Sequence, residues 1–200
     1  MKKAAIIIIL VLIADQVLKI WVKTGMIIGT RGEIAMMGDW FILHFTENEG
    51  MAFGMKFGGE FGKIILSIFR IIAISAIGWY LVKIIRQKEP FGLVLSIALI
   101  FAGAMGNIID SAFYGMIFSE STFHEAARMF PEEGGYSNFL HGKVVDMLYF
   151  PVINGYYPSW LPLWGGNEFI FFRPVFNIAD SSITVGVFIL ILFQKRFFKK

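Results

Sequence analysis

Cysteine is absent from all 200 residues. That excludes a disulfide framework, a thiolate metal site and a cysteine nucleophile, and the chain itself cannot be acylated on cysteine. Charge is also scarce, at 16% of residues, where a soluble domain has about 25%. The net charge is only +3, and the charges bracket apolar runs instead of forming a patch, so no nucleic-acid partner is expected. His44, His124 and His141 are scattered, and no H-E-x-x-H cluster or phosphate-binding glycine loop occurs. What is abundant is hydrophobicity: 56% of residues, with a mean hydropathy of +0.67, collected into long runs. A membrane protein of one domain is the reading at this length.

A bilayer core of about 30 Å needs roughly 20 apolar helical residues. Four segments come near that length, at about 4–22, 61–82, 91–109 and 176–193, the last slightly short. The first follows Lys2 and Lys3 as a secretory leader would. It lacks a small-x-small cleavage site, however, and carries Asp15, Lys19 and Trp21, so a retained helix is expected. The flanks 1–3, 83–90 and 194–200 hold nine Lys and Arg residues, and the two long loops hold fewer over a much longer stretch. Basic flanks stay in the cytoplasm. Both termini are therefore expected inside, and loops 23–60 and 110–175 outside.

Those loops carry strand patterns. Trp40–Thr46, Lys143–Tyr149 and Glu168–Phe172 are aromatic and β-branched between turn residues. Tyr156, Tyr157, Trp160 and Trp164 suit the headgroup level. The expected fold is an integral membrane, mainly α, single domain over 1–200. It has four transmembrane helices, a small extracytoplasmic β-sheet and a loop insertion.

Ionisable groups at membrane depth are costly, so each is a functional candidate. Asp15 and Lys19 share a helix face and read as an internal ion pair. Arg70 lies deep in the second span and calls for a partner such as Asp15 or Asp110. Gly103 and Gly106 allow close helix approach, and Asn107 and Asp110 share one face, for support or for catalysis. Asn177 reads as an N-cap, which places Asp180 at the third helical position, either as a capping-box acid or as a carboxylate with a chemical task. Asp146, within Val144-Val145-Asp146-Met147-Leu148, should resist ionising. Two carboxyls in unlike surroundings suit an aspartic dyad, one holding a proton and the other activating water, with Asp180 expected to be the more acidic.

The motifs then fall into a familiar order. Asp15-Gln16…Lys19, Asn48-Glu-Gly-Met-Ala-Phe-Gly54, Gly106-Asn107-Ile-Ile-Asp110, Val144-Val-Asp146 and Phe176-Asn-Ile-Ala-Asp180-Ser181 together resemble the signal peptidase II family of bacterial membrane aspartic proteases. The resemblance implies Asp146 and Asp180 as the catalytic pair. It also implies Asp15, Lys19, Asn48, Gly54, Asn107, Asp110 and Asn177 as supporting or substrate-binding residues. The implied substrate is a diacylglyceryl-modified prolipoprotein, cut just before its lipidated cysteine in the bacterial inner membrane, with the site at the outer face. Membrane lipids are further partners, a monomer is expected, and no metal or cofactor is implied. An aromatic-rich surface helix belongs to the implied fold.

Three departures stand out. Ser111 follows Asp110 where the family commonly has arginine. Met147 replaces a common phenylalanine. A stretch of 35 residues separates Asp110 from Asp146, longer than in many members. Its Phe123–Phe130 segment is expected to form a short amphipathic helix followed by a turn at Pro131–Gly135, and to shape substrate access. A small transporter or proton-relay subunit is the alternative function, and it would need acids spread through the membrane depth. A non-catalytic scaffold would leave three acids at one boundary without purpose.

Overall fold

A helix that carries an acid and lysines on one face and mostly apolar residues elsewhere has one stable placement, with the charges paired inside and the apolar side chains outside in hydrocarbon. The computed structural model, which describes residues 1–49, 59–151, 153–163, 165–171 and 174–198, follows that rule. Helix α1 (Lys2–Gly25) buries Asp15, Lys19 and Lys23 and exposes Ile6, Ile9, Leu10, Ile13, Val17 and Trp21. Helix α2 (Gly59–Arg86) likewise turns Ile65, Ile68, Phe69 and Ile72 outward. The arrangement inverts that of a soluble protein.

Among the described residues, three helices are long and apolar enough to cross a membrane: α1, residues Ile65–Arg86 of α2, and Phe91–Ile117. The last comprises α3 (Phe91–Ile109), a π-helical turn (Asp110–Tyr114) and one α turn, α4 (Gly115–Ile117). π turns are frequent at functional sites; this one buries both Asp110 and Tyr114. Helix α5 (Ile178–Leu192) is apolar but has 15 residues, a rise of about 22 Å. It is followed by α6 (Gln194–Phe197). The expected fourth span is thus shorter than the three spans above.

The sheet is antiparallel in the order β1 (Ile34–Met37), β2 (Phe41–Asn48), β3 (Val144–Tyr149), β6 (Val175–Phe176). All three sequence-predicted strands exist. The third, β5 (Glu168–Phe171), pairs instead with β4 (Ile153–Tyr156) in a separate hairpin. Strand alternation sends Phe45, Val145 and Met147 into a core with Val22 and Met26 of α1 and Tyr114 and Phe118 beyond α3. Asp146 faces the other way, opposite Thr46. Tyr156 and Trp160 are exposed, as headgroup residues would be; Trp164 lies outside the described residues.

Beyond α4 the excursion between Asp110 and Asp146 carries no helix through residues 118–143, which corrects the expectation for 123–130. Phe118 bridges Met129, the Ser119 N–H donates to the Arg128 carbonyl at 2.9 Å, and the Thr122 N–H to that of Glu125 at 3.1 Å. The Thr122 hydroxyl also accepts the N–H groups of His124 and Glu125. A threonine used in this way offers the backbone a turn in place of a helix. The expected turn at 131–135 is present, with Gly134 at φ 89°. No aromatic-rich surface helix occurs among the described residues.

Candidate active site

The site is built on the start of α5. Asn177 is its N-cap: the side-chain carbonyl accepts the Asp180 N–H at 2.8 Å, and Asp180 Oδ2 accepts the Asn177 N–H at 3.3 Å. This is a capping box, so the two readings of Asp180 meet in one residue. Its second oxygen, Oδ1, accepts the Asn107 amide at 2.8 Å. Asp180 is half-buried, at a helix N-terminus that favours negative charge.

Asn177 is fully buried and reaches a second carboxyl. Its Nδ2 donates to Asp146 Oδ1 at 2.7 Å and lies within 3.1 Å of Asn107 Oδ1 and 3.2 Å of the Val145 carbonyl. One side chain therefore touches both candidate acids. Asp146 is only 4% exposed. Burial first, and then the negative charge of Asp180, push its carboxyl up to about 7. The Lys19 charge and the hydrogen bonds of Asn177 and Asn48 oppose that rise. Resistance to ionising, expected from its apolar neighbours, is what its surroundings impose.

Beneath this layer lies an ionic floor. The Lys19 ammonium, wholly buried, stands 2.9 Å from Asp15 Oδ2 and 2.8 Å from Asp110 Oδ2, and donates to Asn107 Oδ1 at 2.9 Å. Gln16 bridges the same two acids at 3.1 and 2.9 Å. The Tyr114 hydroxyl donates to Gln16 at 3.2 Å, and the Val145 N–H to Asp110 at 3.3 Å. Asp15 Oδ1 accepts the Ala179 N–H at 2.9 Å, which ties the first turn of α5 to α1. Among the described residues no buried side-chain nitrogen or oxygen lacks a partner, the condition under which buried polar networks hold their geometry.

Close helix approach makes the network possible. A Cβ on Gly103 would lie 2.2 Å from the Ala179 carbonyl, and one on Gly106 2.7 Å from Asp15 Oδ2. Only glycine lets α3 come this near to α5 and α1.

Asp15, Lys19, Asn48, Asn107, Asp110, Asn177, Asp146 and Asp180 thus belong to one connected cluster. Gly54 lies outside the described residues. Ser111, placed where an arginine was expected, donates its hydroxyl to the Asn107 carbonyl at 3.1 Å, while the cation for Asp110 comes from Lys19. Met147 is packed in the core. The charge of Asp180 acts on Arg70. Lys23, at the first position of the expected outer loop 23–60, is a buried member of α1, and the run Asp15, Lys19, Lys23 at four-residue spacing is the signal that marks it.

Comparison with known proteins agrees with the motifs. The sequence profile described as signal peptidase (SPase) II matches residues 7–196. The chain is 50% identical to the lipoprotein signal peptidase of Porphyromonas gingivalis strain ATCC 33277, over 98% of this chain and 84% of that one. It is 39% identical to the lipoprotein signal peptidase of Amoebophilus asiaticus, over 92% and 74%. A bacterial membrane enzyme solved by the in meso method superposes with a TM-score of 0.62 at 25% identity, over 100% of this chain and 93% of that chain.

Proposed function

The chain belongs to the signal peptidase II family of aspartic endopeptidases, which remove signal peptides from prolipoproteins, and on that premise we propose that Asp146 and Asp180 are its catalytic pair. The observation that carries the assignment is the Asn177 side chain, bonded to Asp146 Oδ1 and to the Asp180 N–H at once. It links two carboxyls in unlike surroundings, near enough for the charge of Asp180 to act on Asp146.

The chemistry follows from that difference. Asp146, with its carboxyl pushed up to about 7, keeps a proton that hydrogen-bonds the scissile carbonyl. Asp180, at the helix N-terminus, takes a proton from water as the water oxygen attacks the carbonyl carbon. The resulting diol collapses when the amide nitrogen receives a proton from the dyad and the C–N bond breaks. The products are a free carboxyl on the signal peptide and a free amine on the cysteine. Asn107, Asn177 and Asp15 hold the pair, and Lys19 is the cation that Asp15 and Asp110 share. No metal or cofactor enters the scheme.

The substrate in this reading is diacylglyceryl-modified, with cleavage just before the lipidated cysteine; membrane lipids are the other partners, and the enzyme is a monomer. Residues 1–200 form one domain in the bacterial inner membrane. Helix α5 with its flanking α6 serves as a fourth span, both termini are cytoplasmic, and the sheet and dyad lie at the outer face. The basic flanks of the apolar helices support that orientation. The proton-relay alternative loses its carriers, because Asp15 and Asp110 are both bound to Lys19. Processing of a diacylated prolipoprotein by purified Asp146→Asn and Asp180→Asn variants tests the assignment. Both are expected to be inactive and Asp110→Asn partly active; normal cleavage by either dyad variant overturns it.

A further inference from the structure

A second buried ionic cluster lies outside the dyad, and hydrolysis does not use it. Lys23, one turn beyond Lys19 on α1, is wholly buried. Its ammonium donates to Glu47 Oε1 and, at 2.8 Å, to the Ser121 hydroxyl. That hydroxyl donates to Glu47 Oε1 at 2.9 Å, and Lys143 Nζ stands 3.4 Å from Glu47 Oε2. The Tyr136 ring closes the group, with the Lys23 and Lys143 ammoniums 5.0 and 5.4 Å from its centroid. Ser121, Tyr136 and Lys143 all come from the excursion between Asp110 and Asp146. The Lys23 carbonyl also accepts the N–H of Ala127 from the same excursion, at 3.1 Å.

Charge is buried at a cost, and the position of this charge shows what it holds. Glu47 lies opposite Val145 near the end of β2, between Thr46 and Asn48. Alternation along the strand puts Glu47 on the core face with Phe45, and Thr46 and Asn48 on the other face. Asp146 lies on that second face, opposite Thr46, and accepts a hydrogen bond from Asn48. Pairing is irregular between Leu43 and Thr46 and resumes at Thr46, Glu47 and Asn48, and Glu47, in the middle of that short resumed stretch, is the residue the clamp holds.

We propose that Glu47, held by Lys23, Ser121 and Lys143, is a positioning residue for the dyad. It fixes the end of β2 so that Asn48 meets Asp146, and it makes the excursion a strut of the site. The inference rests on the peptidase reading above. Asp146 is faced by Asp180 of α5, Lys19 of α1 and the amides of Asn177 and Asn48. Of these, the Asn48 bond is the one the clamp controls, and losing it lets the Asp146 carboxyl titrate at higher pH.

The test uses the full-length enzyme carrying Ser121→Ala and, separately, Lys23→Met with Glu47→Gln, which removes both buried charges together. Each should lower kcat about tenfold, the worth of one well-placed hydrogen bond, with KM unchanged. In each, the limb of the pH–rate profile near neutrality should move to higher pH. Asn48→Ala should reproduce both effects, and adding it to Ser121→Ala should change nothing further. Unchanged kcat and pH limb in Ser121→Ala, or effects that add in full to those of Asn48→Ala, overturn the inference; Ser121→Ala decides alone if the paired variant fails to fold. Asp146→Asn in the same assay separates the two readings. Retained cleavage there removes the peptidase assignment, whereas an inactive Asp146→Asn beside an unaffected Ser121→Ala removes only the clamp.

Discussion

Asn177 donates its side-chain amide to Asp146 at 2.7 Å, the shortest of the three contacts that nitrogen makes. The same residue caps α5 and so sets the position of Asp180. A single amide therefore relates an acid on the sheet to an acid on a helix, elements that meet 31 residues apart in the chain.

The cap and the bridge can be separated by substitution. Asn177→Ser keeps an N-cap but loses the donor to Asp146; Asn177→Ala loses both. Each should slow cleavage about 100-fold, the scale of a misplaced catalytic group. Asn177→Ala should in addition lower stability by about 1 kcal/mol relative to Asn177→Ser. Single-turnover processing and thermal unfolding in detergent measure the two effects independently.

Asp146 carries a cost that pH reveals. Its carboxyl titrates at 3.8 ordinarily and at about 7 in the folded protein. The folded state thus binds more protons between those values, and stability falls as pH rises through that window. Asp146→Asn, which cannot ionise and can still accept from Asn177, removes the fall. It should be inactive yet more stable than the native chain at pH 8, with an upper bound of about 4 kcal/mol for a shift of this size, and indistinguishable from it near pH 4. Unfolding midpoints measured across pH 4–8 check the crossover.

The two proposed catalytic acids stand out in the sequence because each breaks a local pattern: Asp146 interrupts an apolar strand, and Asp180 sits three residues after a capping asparagine; separating them from Asp110 takes the family motifs. Asp15, Lys19 and Asp110 stood out for the same reason, as charges in runs that lipid would otherwise cover. Lys23 and Glu47 did not stand out. Hydropathy ended the first span at Val22, which made Lys23 look solvated, and nothing local shows that Glu47 turns inward. The shape of the excursion escapes the sequence for a related reason. The pattern of 123–130 fits an amphipathic helix, but Thr122 bonds its own neighbours and Ala127 bonds the Lys23 carbonyl, contacts that no local periodicity encodes. Strand β6 is two residues long, too short for alternation to register, and β1 (Ile-Ala-Met-Met) and β4 (Ile-Asn-Gly-Tyr) lack the aromatic run that marks β5.

Lys19 is the counter-charge of two buried carboxylates, so its loss should be worse than the loss of either acid. Lys19→Met leaves Asp15 and Asp110 facing each other without a cation, and breaking such a buried set costs about 3–5 kcal/mol. Lys19→Met combined with Asp110→Asn should recover part of that loss. Denaturation midpoints of the single and double variants give the coupling directly; a double variant no more stable than Lys19→Met argues against the ionic floor.

Gly103 tests the packing that brings α3 to the site. A methyl there would overlap the Ala179 carbonyl at 2.2 Å, and backbone cannot yield as a flexible side chain does. Gly103→Ala should push α5 away from α3, lengthen the Asn107–Asp180 bond and slow cleavage at least about tenfold, with overpacking costing about 1–3 kcal/mol. Gly25→Ala, where nothing lies within 4 Å, is the control and should cleave normally.

The absence of cysteine makes the proposed orientation directly measurable, because any introduced thiol is the only one present. Gln87, in the turn between α2 and α3, and His124, in the excursion, are both exposed. With both termini in the cytoplasm, His124→Cys lies outside and Gln87→Cys inside. A membrane-impermeant maleimide should label His124→Cys in intact spheroplasts, and Gln87→Cys only after the membrane is opened. The converse labelling would place the dyad on the cytoplasmic side, and the substrate could not then be a secreted precursor cut at the outer surface.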